Sequence, residues 1–170
     1  MFTPVNITLI ITATITALMA GLFFAWSCSV TPGLGRLPDA SYISAFQSCN
    51  RAIQNPVFLI CFLGGLVLLP VSAWLHYTPA PSIHFWLLLA ASLLYAAGVI
   101  GVTFAGNIPL NEALDKFDLQ QASTEAITQA RERFEKRWND LNLIRTVAST
   151  LSVILVVMAC LSKYKEQGIS

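Results

Sequence analysis

The chain has 170 residues, of which 55% are hydrophobic and only 11% are charged. Soluble domains carry about 25% charged residues, so this composition argues against a soluble or disordered protein. Ten Lys and Arg residues against nine Asp and Glu residues leave a net charge of +1, which provides no electrostatic footprint for a nucleic acid partner.

The charges are distributed unevenly along the chain. No Asp, Glu, Lys or Arg precedes Arg36, and the 60 residues from 52 to 111 contain none. About 20 apolar residues in a helix cross the hydrocarbon core of a bilayer, so this stretch is long enough for two spans. The sequence therefore predicts a membrane hairpin.

Four segments have the length and hydropathy of membrane spans, and isolated spans must be helical to satisfy their own backbone in lipid. The predicted spans cover about residues 7–26, 56–74, 85–104 and 141–161. A cleaved signal peptide is the alternative for the first span, but no Lys or Arg precedes it and its apolar run is too long. We predict an all-α protein, a four-helix transmembrane bundle that forms a single integral membrane domain over residues 1–170.

The connection after the first span carries turn and helix signals. The prolines and glycines of 31–39 predict a turn, after which Asp39 is expected to cap a helix. That helix is amphipathic, and one apolar face holds Tyr42, Phe46, Cys49 and Ile53. It either lies in the membrane interface or folds back as a lid on the bundle.

The connection after the third span predicts two further helical segments. Asn107 is expected to cap the first of them, with Pro109 in its first turn. Residues 123–140 predict a polar helix that runs unbroken into the fourth span, because no Gly or Pro interrupts 122–167. We therefore expect a long fourth helix that projects from the membrane.

The cysteine and histidine residues provide no signal for a metal centre. Cys28, Cys49, Cys61 and Cys160 have no CxxC spacing, so they are expected to be buried small hydrophobes. His76 and His84 flank the turn at 76–82 without a nearby carboxylate, which favours interface histidines over a metal pair.

The loop charges bear on the orientation in the membrane. Four spans put both termini and the 76–82 turn on one side, where the basic residues are Lys163 and Lys165. The opposite loops carry the other basic residues, which are Arg36, Arg51, Lys116, Arg131, Arg133, Lys136 and Arg137. The positive-inside rule then favours cytoplasmic loops with both termini outside.

Trp138, Asn142 and Arg145 have the spacing of one helical stripe that descends from the interface into the fourth span. An arginine in a span costs ~2.5–3.5 kcal/mol on insertion scales, and such residues mostly face a protein interior or a water-filled cavity. The alternative for Arg145 is snorkelling to lipid headgroups, because it lies only about one turn inside the span.

Further polar pairs occur on the same side of the membrane. Asn107 and Asn111 are one turn apart, and Arg51 with Asn55 precedes Pro56. If these pairs converge with the stripe on the fourth span, amide and guanidinium groups can bind a planar, oxygen-rich or anionic organic ligand. Helix capping and interhelical hydrogen bonds are the alternative. Glu112 and Asp115 fit solvated surface positions better than catalytic bases.

The chain resembles the DUF1772 group of multi-pass membrane proteins, also called the anthrone oxygenase family. The resemblance covers nearly the whole chain and includes the order and spacing of its motifs. These motifs are GLFFAWS at 21–27, PGL at 32–34, RLP at 36–38, NRAIQNP at 50–56, NIPLN at 107–111, and Trp138 with NLIRT at 142–146. One departure is Leu143, where many relatives are expected to carry histidine.

The resemblance implies O₂-dependent oxidation, or binding, of a hydrophobic aromatic or quinone-like molecule, with no metal or flavin cofactor. The candidate catalytic residues are Arg145, Asn142 and Asn107, and the candidate substrate-binding residues are Trp138, Asn111, Arg51 and Asn55. Arg145 would stabilise an anion, the asparagines would orient oxygens and Trp138 would stack on the ring. No dedicated base is visible among these residues.

The expected partners are membrane lipids, a hydrophobic aromatic ligand and further copies of the chain, and the expected location is a bacterial plasma membrane. The alternative function is a non-enzymatic membrane scaffold that uses Arg51 and Arg145 to bind lipid headgroups or a partner protein. Transport is less favoured because the four spans show no internal repeat and no pair of broken helices.

Overall fold

The computed structural model describes residues 3–162. Within this range the regular structure is helical, with no strand. The helices are α1 (Pro4–Leu34), α2 (Asp39–Ile53), α3 (Pro56–Leu75), α4 (Ile83–Asp115) and α5 (Thr124–Leu161). All except α2 are long and apolar enough to cross a membrane. The predicted all-α bundle with four apolar helices is confirmed, and Lys163 and Lys165 lie outside the described residues.

The four long helices form a closed ring in which α1 packs on α3 and α5, and α4 packs on α3 and α5. Buried side chains such as Met19, Leu69, Leu88 and Val156 fill the centre. Short polar side chains join neighbouring helices, and the Thr12 and Ser72 hydroxyl oxygens lie 2.8 Å apart. The outer surfaces carry large exposed aliphatic and aromatic side chains, an arrangement that suits lipid rather than water.

The helices α1 and α4 extend beyond the predicted spans, because residues whose sequence favours a turn are helical in the structure. The turn predicted over 31–39 is shorter in the structure, because α1 passes through a π-helical segment at Trp26–Val30 and ends at Leu34, which leaves the turn at 35–38. The prediction that Asn107 caps a new helix is wrong. A π-helical segment at Thr103–Asn107 instead carries α4 into Pro109, whose missing N–H costs little where the hydrogen-bond ladder shifts.

The helix α2 folds back onto the bundle and forms a roof, so the lid alternative holds rather than the interfacial one. Its buried Tyr42, Ile43 and Phe46 pack against Phe134 and Trp138 of α5. In addition, the side chain of Gln47 donates hydrogen bonds to the carbonyl oxygens of Leu114 at 2.8 Å and Phe117 at 3.0 Å. The roof is therefore attached to both α4 and α5.

Asp39 begins α2 but does not cap it, which corrects the prediction. Its carboxylate accepts hydrogen bonds from the Thr128 hydroxyl at 2.6 Å and from Arg131 Nη1 at 2.9 Å. These hydrogen bonds lower the pKa of Asp39 below its ordinary 3.8. Arg131 also donates to the carbonyl oxygens of Gly35 and Leu37, each at 2.8 Å, so one guanidinium group holds the turn between α1 and α2.

The polar start of the fourth long helix follows the prediction. The Ser123 hydroxyl caps α5 by accepting a hydrogen bond from the Ala126 amide at 3.3 Å, and the helix then runs unbroken from Thr124 to Leu161. At its far end, His84 Nε2 lies 2.9 Å from the carbonyl oxygen of Ser162, and the His84 ring stacks on that of His76 at 6.0 Å.

The cysteine residues depart from the predicted burial. Cys28 and Cys160 are exposed on the outer surface, whereas Cys49 and Cys61 are half-buried, and all four are free thiols. A small apolar thiol is compatible with a lipid-facing helix surface, so hydropathy alone does not indicate burial in a membrane protein. Among residues 3–162, no group of three or more His, Cys, Asp or Glu side chains is arranged to hold a metal ion.

Candidate functional site

A cavity of about 550 Å³ lies within the bundle and beneath the roof helix α2. This volume is in the range of small-molecule sites. All five helices contribute aromatic side chains to the wall, and they are Phe23, Trp26, Phe46, Phe58, Phe62, Phe104 and Trp138. Such a wall is suited to a flat apolar molecule.

Arg145 provides a buried positive charge at this wall. It is 7% exposed, so it points into the bundle and does not snorkel to headgroups. Its Nη2 donates to Asn142 Oδ1 at 2.8 Å, and its Nη1 donates to the Thr103 hydroxyl at 3.3 Å. The Cζ atom lies 4.6 Å from the centre of the Phe23 ring and 5.3 Å from that of Trp138. These are cation–π distances.

No carboxylate within residues 3–162 forms an ion pair with Arg145. In addition, Arg145 Nε is buried and has no hydrogen-bond partner among these residues. The direct contacts of the guanidinium group within these residues are therefore neutral dipoles and aromatic faces. An uncompensated cation beside an apolar cavity favours an anionic or electron-rich ligand.

Asn142 holds this arginine in place. It is fully buried, and its Nδ2 donates to the Ser27 hydroxyl at 2.9 Å and to the Phe23 carbonyl oxygen at 3.2 Å. These partners lie at the start of the π-helical part of α1, where π-turns often accompany functional sites. Through Oδ1, Asn142 orients Arg145, and both Nδ2 hydrogens are used on α1.

Trp138 and Asn111 also line the cavity, one turn towards the roof. The indole Nε1 of Trp138 donates to Asn111 Oδ1 at 2.8 Å, which fixes the ring plane. Ring centres of Trp26 and Phe46 lie 5.2 Å and 4.8 Å from that of Trp138. The result is a rigid aromatic wall under α2.

Asn107 lies between Thr103 and Asn111 on α4 but does not line the cavity. It is 0% exposed, and neither amide atom has a hydrogen-bond partner within the described residues. One turn away on either side, Thr103 accepts a hydrogen bond from Arg145 and Asn111 accepts one from Trp138. Asn107 therefore lies close behind the cavity wall. An unsatisfied buried amide of this kind usually holds a water molecule.

The structure does not bring Arg51 and Asn55 to the cavity. Arg51 forms an exposed ion pair with Asp115, with Nε 2.8 Å from Oδ1. Asn55 caps α3, because its Oδ1 accepts a hydrogen bond from the Phe58 amide at 3.0 Å. Arg51 therefore joins α2 to α4 and Asn55 caps α3, and neither residue lines the cavity.

Several cavity residues on α4 were not among the predicted site residues, although Glu112 and Asp115 were considered and assigned to the solvated surface. Phe104, Ile108, Glu112 and Asp115 line the cavity at intervals of three or four residues, so helical periodicity counted from Phe104 would have identified them. Glu112 forms no ion pair with any residue of 3–162. Glu112 is exposed, in keeping with the predicted solvated position, and its carboxylate also borders the cavity.

Comparison with known proteins agrees with this geometry. The model of one protein family, described as anthrone oxygenase, matches residues 58–155. The matched range is more than half of the chain and includes α3, α4 and the Trp138, Asn142 and Arg145 stripe of α5. No curated protein and no solved structure matches the chain. The chain belongs to the anthrone oxygenase family.

Proposed function

We propose that the protein is a multi-pass membrane oxygenase that oxidises a hydrophobic aromatic molecule with O₂ and needs no metal or flavin. The observation that carries the proposal is the buried guanidinium group of Arg145, which has no carboxylate partner in 3–162 and borders an aromatic cavity of about 550 Å³. The family match supports the same class of substrate.

The proposed chemistry starts from a CH₂ group between aromatic rings and conjugated with a carbonyl, as in an anthrone. Loss of one proton from that carbon gives an enolate, which can transfer an electron to O₂. The carbon radical and superoxide combine to form a C–O bond, and protonation gives a hydroperoxide. Loss of water then leaves a new carbonyl, so one O₂ oxidises CH₂ to C=O and releases one H₂O.

The residues have distinct roles in this scheme. Arg145 stabilises the enolate oxygen in a site of low dielectric, where a fixed charge is most effective. Glu112 accepts the proton, since a positioned carboxylate contributes about 10²–10⁴-fold as a general base. The Phe58 and Phe62 rings are stacked at 5.3 Å and provide one aromatic surface for the substrate, and Trp26 and Trp138 provide another.

The Leu143 departure from the family pattern does not weaken this scheme. Leu143 is 56% exposed and lies on the outer groove between α4 and α5, not on the cavity. A residue at that position of this chain faces away from Arg145. The presence of leucine there therefore removes no functional group from the proposed site.

The test uses purified protein in lipid nanodiscs. We expect O₂ consumption with anthrone above the rate in empty nanodiscs, at one O₂ per anthraquinone formed. The Arg145→Gln variant should lose at least ten-fold in rate, whereas Arg137→Gln, an exposed arginine on the same helix, should match the wild type.

A binding measurement separates catalysis from ligand binding. We expect 1-hydroxy-2-naphthoate to quench tryptophan fluorescence in the wild type and in Arg137→Gln, but at least ten-fold more weakly in Arg145→Gln. Binding without O₂ consumption would reduce the function to that of a ligand-binding protein. If neither occurs, the proposal is wrong and the scaffold alternative stands.

A further inference from the structure

The roof helix α2 closes the cavity on its polar side. Gln47 donates to two carbonyl oxygens at the end of α4, and the Arg51–Asp115 ion pair joins the same two elements at 2.8 Å. Asp39 and Arg131 hold the other end of the roof on α5. Access from water would therefore require several polar contacts to break together.

Between α3 and α4, by contrast, few contacts close the cavity, because these two helices diverge towards the roof. The two helices pack closely over Ile83–Gly101 of α4, but α3 makes no comparable contact with Thr103–Asp115. Close packing at Tyr95 depends on Gly65, because a Cβ atom there would lie 2.7 Å from the Tyr95 ring. Beyond this point, the π-helical segments of α4 lead it away from α3.

The gap between the diverging helices is a lateral slot into the cavity, which we define by Leu59, Leu63 and Phe104. All three residues line the cavity, and their exposed fractions are 45%, 44% and 56%. They belong to two of the helices that are apolar enough to cross a membrane. An opening bordered by apolar side chains on such helices faces acyl chains rather than water.

The interior of the slot is suited to an amphiphile with a flat body. The stacked Phe58 and Phe62 rings lie on the same α3 face as the slot residues. The only buried cation on the cavity wall of residues 3–162 is Arg145, which carries no carboxylate partner in that range. Charge complementarity therefore favours a ligand with an aromatic body and one anionic or strongly accepting oxygen group.

We propose that the ligand reaches Arg145 from the lipid phase through the lateral slot, while α2 stays closed. This inference rests on the proposed function for the identity of the ligand, but the access route can be tested alone. Access from the lipid phase specifies the substrate class, which is an aromatic molecule that dissolves in the membrane and carries an acidic oxygen. Water-soluble aromatics that do not partition into the bilayer are excluded.

The test measures access to Cys49, which lines the cavity, in a protein with Cys28, Cys61 and Cys160 changed to serine. The probes are N-(1-pyrenyl)maleimide, which partitions into lipid, and a sulfonated maleimide, which stays in water. For each probe, the rate with the folded protein is divided by the rate after denaturation in detergent. We expect this ratio to be at least ten-fold higher for the pyrenyl probe than for the sulfonated probe.

Three variants link this reactivity to the slot. Leu63→Trp narrows the slot and should slow the pyrenyl probe about ten-fold, whereas Phe104→Ala widens it and should accelerate the probe. Ile60→Trp is the matched control, because Ile60 lies on the same helix with 66% exposure but does not line the cavity. Because the first two variants act in opposite directions, poor folding of one leaves the other informative.

The outcomes are distinct for the two proposals. Equal reactivity of both probes, no reaction of either, or no effect of Leu63→Trp and Phe104→Ala would each overturn the lateral slot. If the slot pattern holds but 1-hydroxy-2-naphthoate does not bind, the proposed function fails and the access route remains. If binding occurs without the slot pattern, the ligand enters from water.

Discussion

Arg145 and Asn142 lie one turn apart on α5, and the guanidinium Nη2 of Arg145 donates to the amide Oδ1 of Asn142 at 2.8 Å. Asn142 is in turn held by Ser27 and the Phe23 carbonyl oxygen of α1. The position of the buried charge therefore depends on the packing of α1 against α5.

Substitution of Asn142→Ala should leave Arg145 Nη2 without its partner. The loss of buried hydrogen bonds should cost about 1–3 kcal/mol in unfolding free energy. The affinity for 1-hydroxy-2-naphthoate should fall about ten-fold, because the guanidinium group is no longer oriented. Both quantities can be measured in nanodiscs, with the exposed Asp140→Asn on the same helix as control. An unchanged affinity would show that Asn142 does not position Arg145.

Substitution of Gly65→Ala should strain the contact between α3 and α4. The added Cβ would lie 2.7 Å from Tyr95 Cζ and 2.8 Å from its hydroxyl oxygen. Overpacking of this kind costs about 1–3 kcal/mol, so the midpoint of thermal unfolding should fall. In a protein that already carries Tyr95→Leu, Gly65→Ala should no longer lower the midpoint of unfolding, because the phenol ring that the added Cβ meets is absent.

Gly21 provides the matched control for Gly65. A Cβ atom at Gly21 would meet no atom within 4 Å, and the residue lies in α1. Gly21→Ala should therefore be neutral, or stabilise the helix by up to about 1 kcal/mol. Equal destabilisation by both substitutions would contradict the tight contact at Tyr95.

Substitution of Glu112→Gln tests the proposed base. The rate of O₂ consumption with anthrone should fall about 10–100-fold, because the amide cannot accept the proton. Affinity for 1-hydroxy-2-naphthoate should stay within about two-fold, since Arg145 is unchanged. Glu125→Gln, in the exposed first turn of α5, is the control. A normal rate in Glu112→Gln would eliminate this carboxylate as the base.

The roof should loosen in acid through Asp39. Hydrogen bonds from Thr128 and Arg131 hold the pKa of Asp39 below 3.8 in the folded state, so they favour the ionised form. The stabilisation is complete above the unfolded pKa and is lost as pH falls through the lower folded pKa. Amide hydrogen exchange of 39–53, corrected for intrinsic rates, should therefore rise below about pH 4.

The Asp39→Asn variant is the reference for this pH dependence. Its roof should exchange faster than that of the wild type at neutral pH, because the charge-assisted hydrogen bond to Arg131 is lost. Its exchange should then change less on acidification. The same acid response in both proteins would assign the effect to another group.

Helix positions were predictable where one physical effect dominates. The uncharged stretch 52–111 indicated α3 and α4 through hydropathy, and the absence of Gly and Pro indicated an unbroken α5. The ends of α1 and α4 were not predictable in this way. Gly, Pro and Asn at 31–34 and 107–109 usually end helices, but here π-turns absorb them.

The candidate site was predictable along α5 and at Asn111 of α4. The spacing of Trp138, Asn142 and Arg145 fixes their common face, because all three lie in one regular helix. Arg51 and Asn55 flank a corner between two helices, where chain distance does not determine direction. Glu112 is exposed, as predicted, but composition alone does not show that it also borders the cavity.

The stacked histidines at the other end of the bundle limit how the protein can deform. The contact of His84 with the Ser162 carbonyl oxygen and its stacking on His76 join the α3–α4 turn to the end of α5. The contacts at the histidine end therefore join three of the long helices, whereas the lateral slot lies at the other end of the bundle, beside the roof.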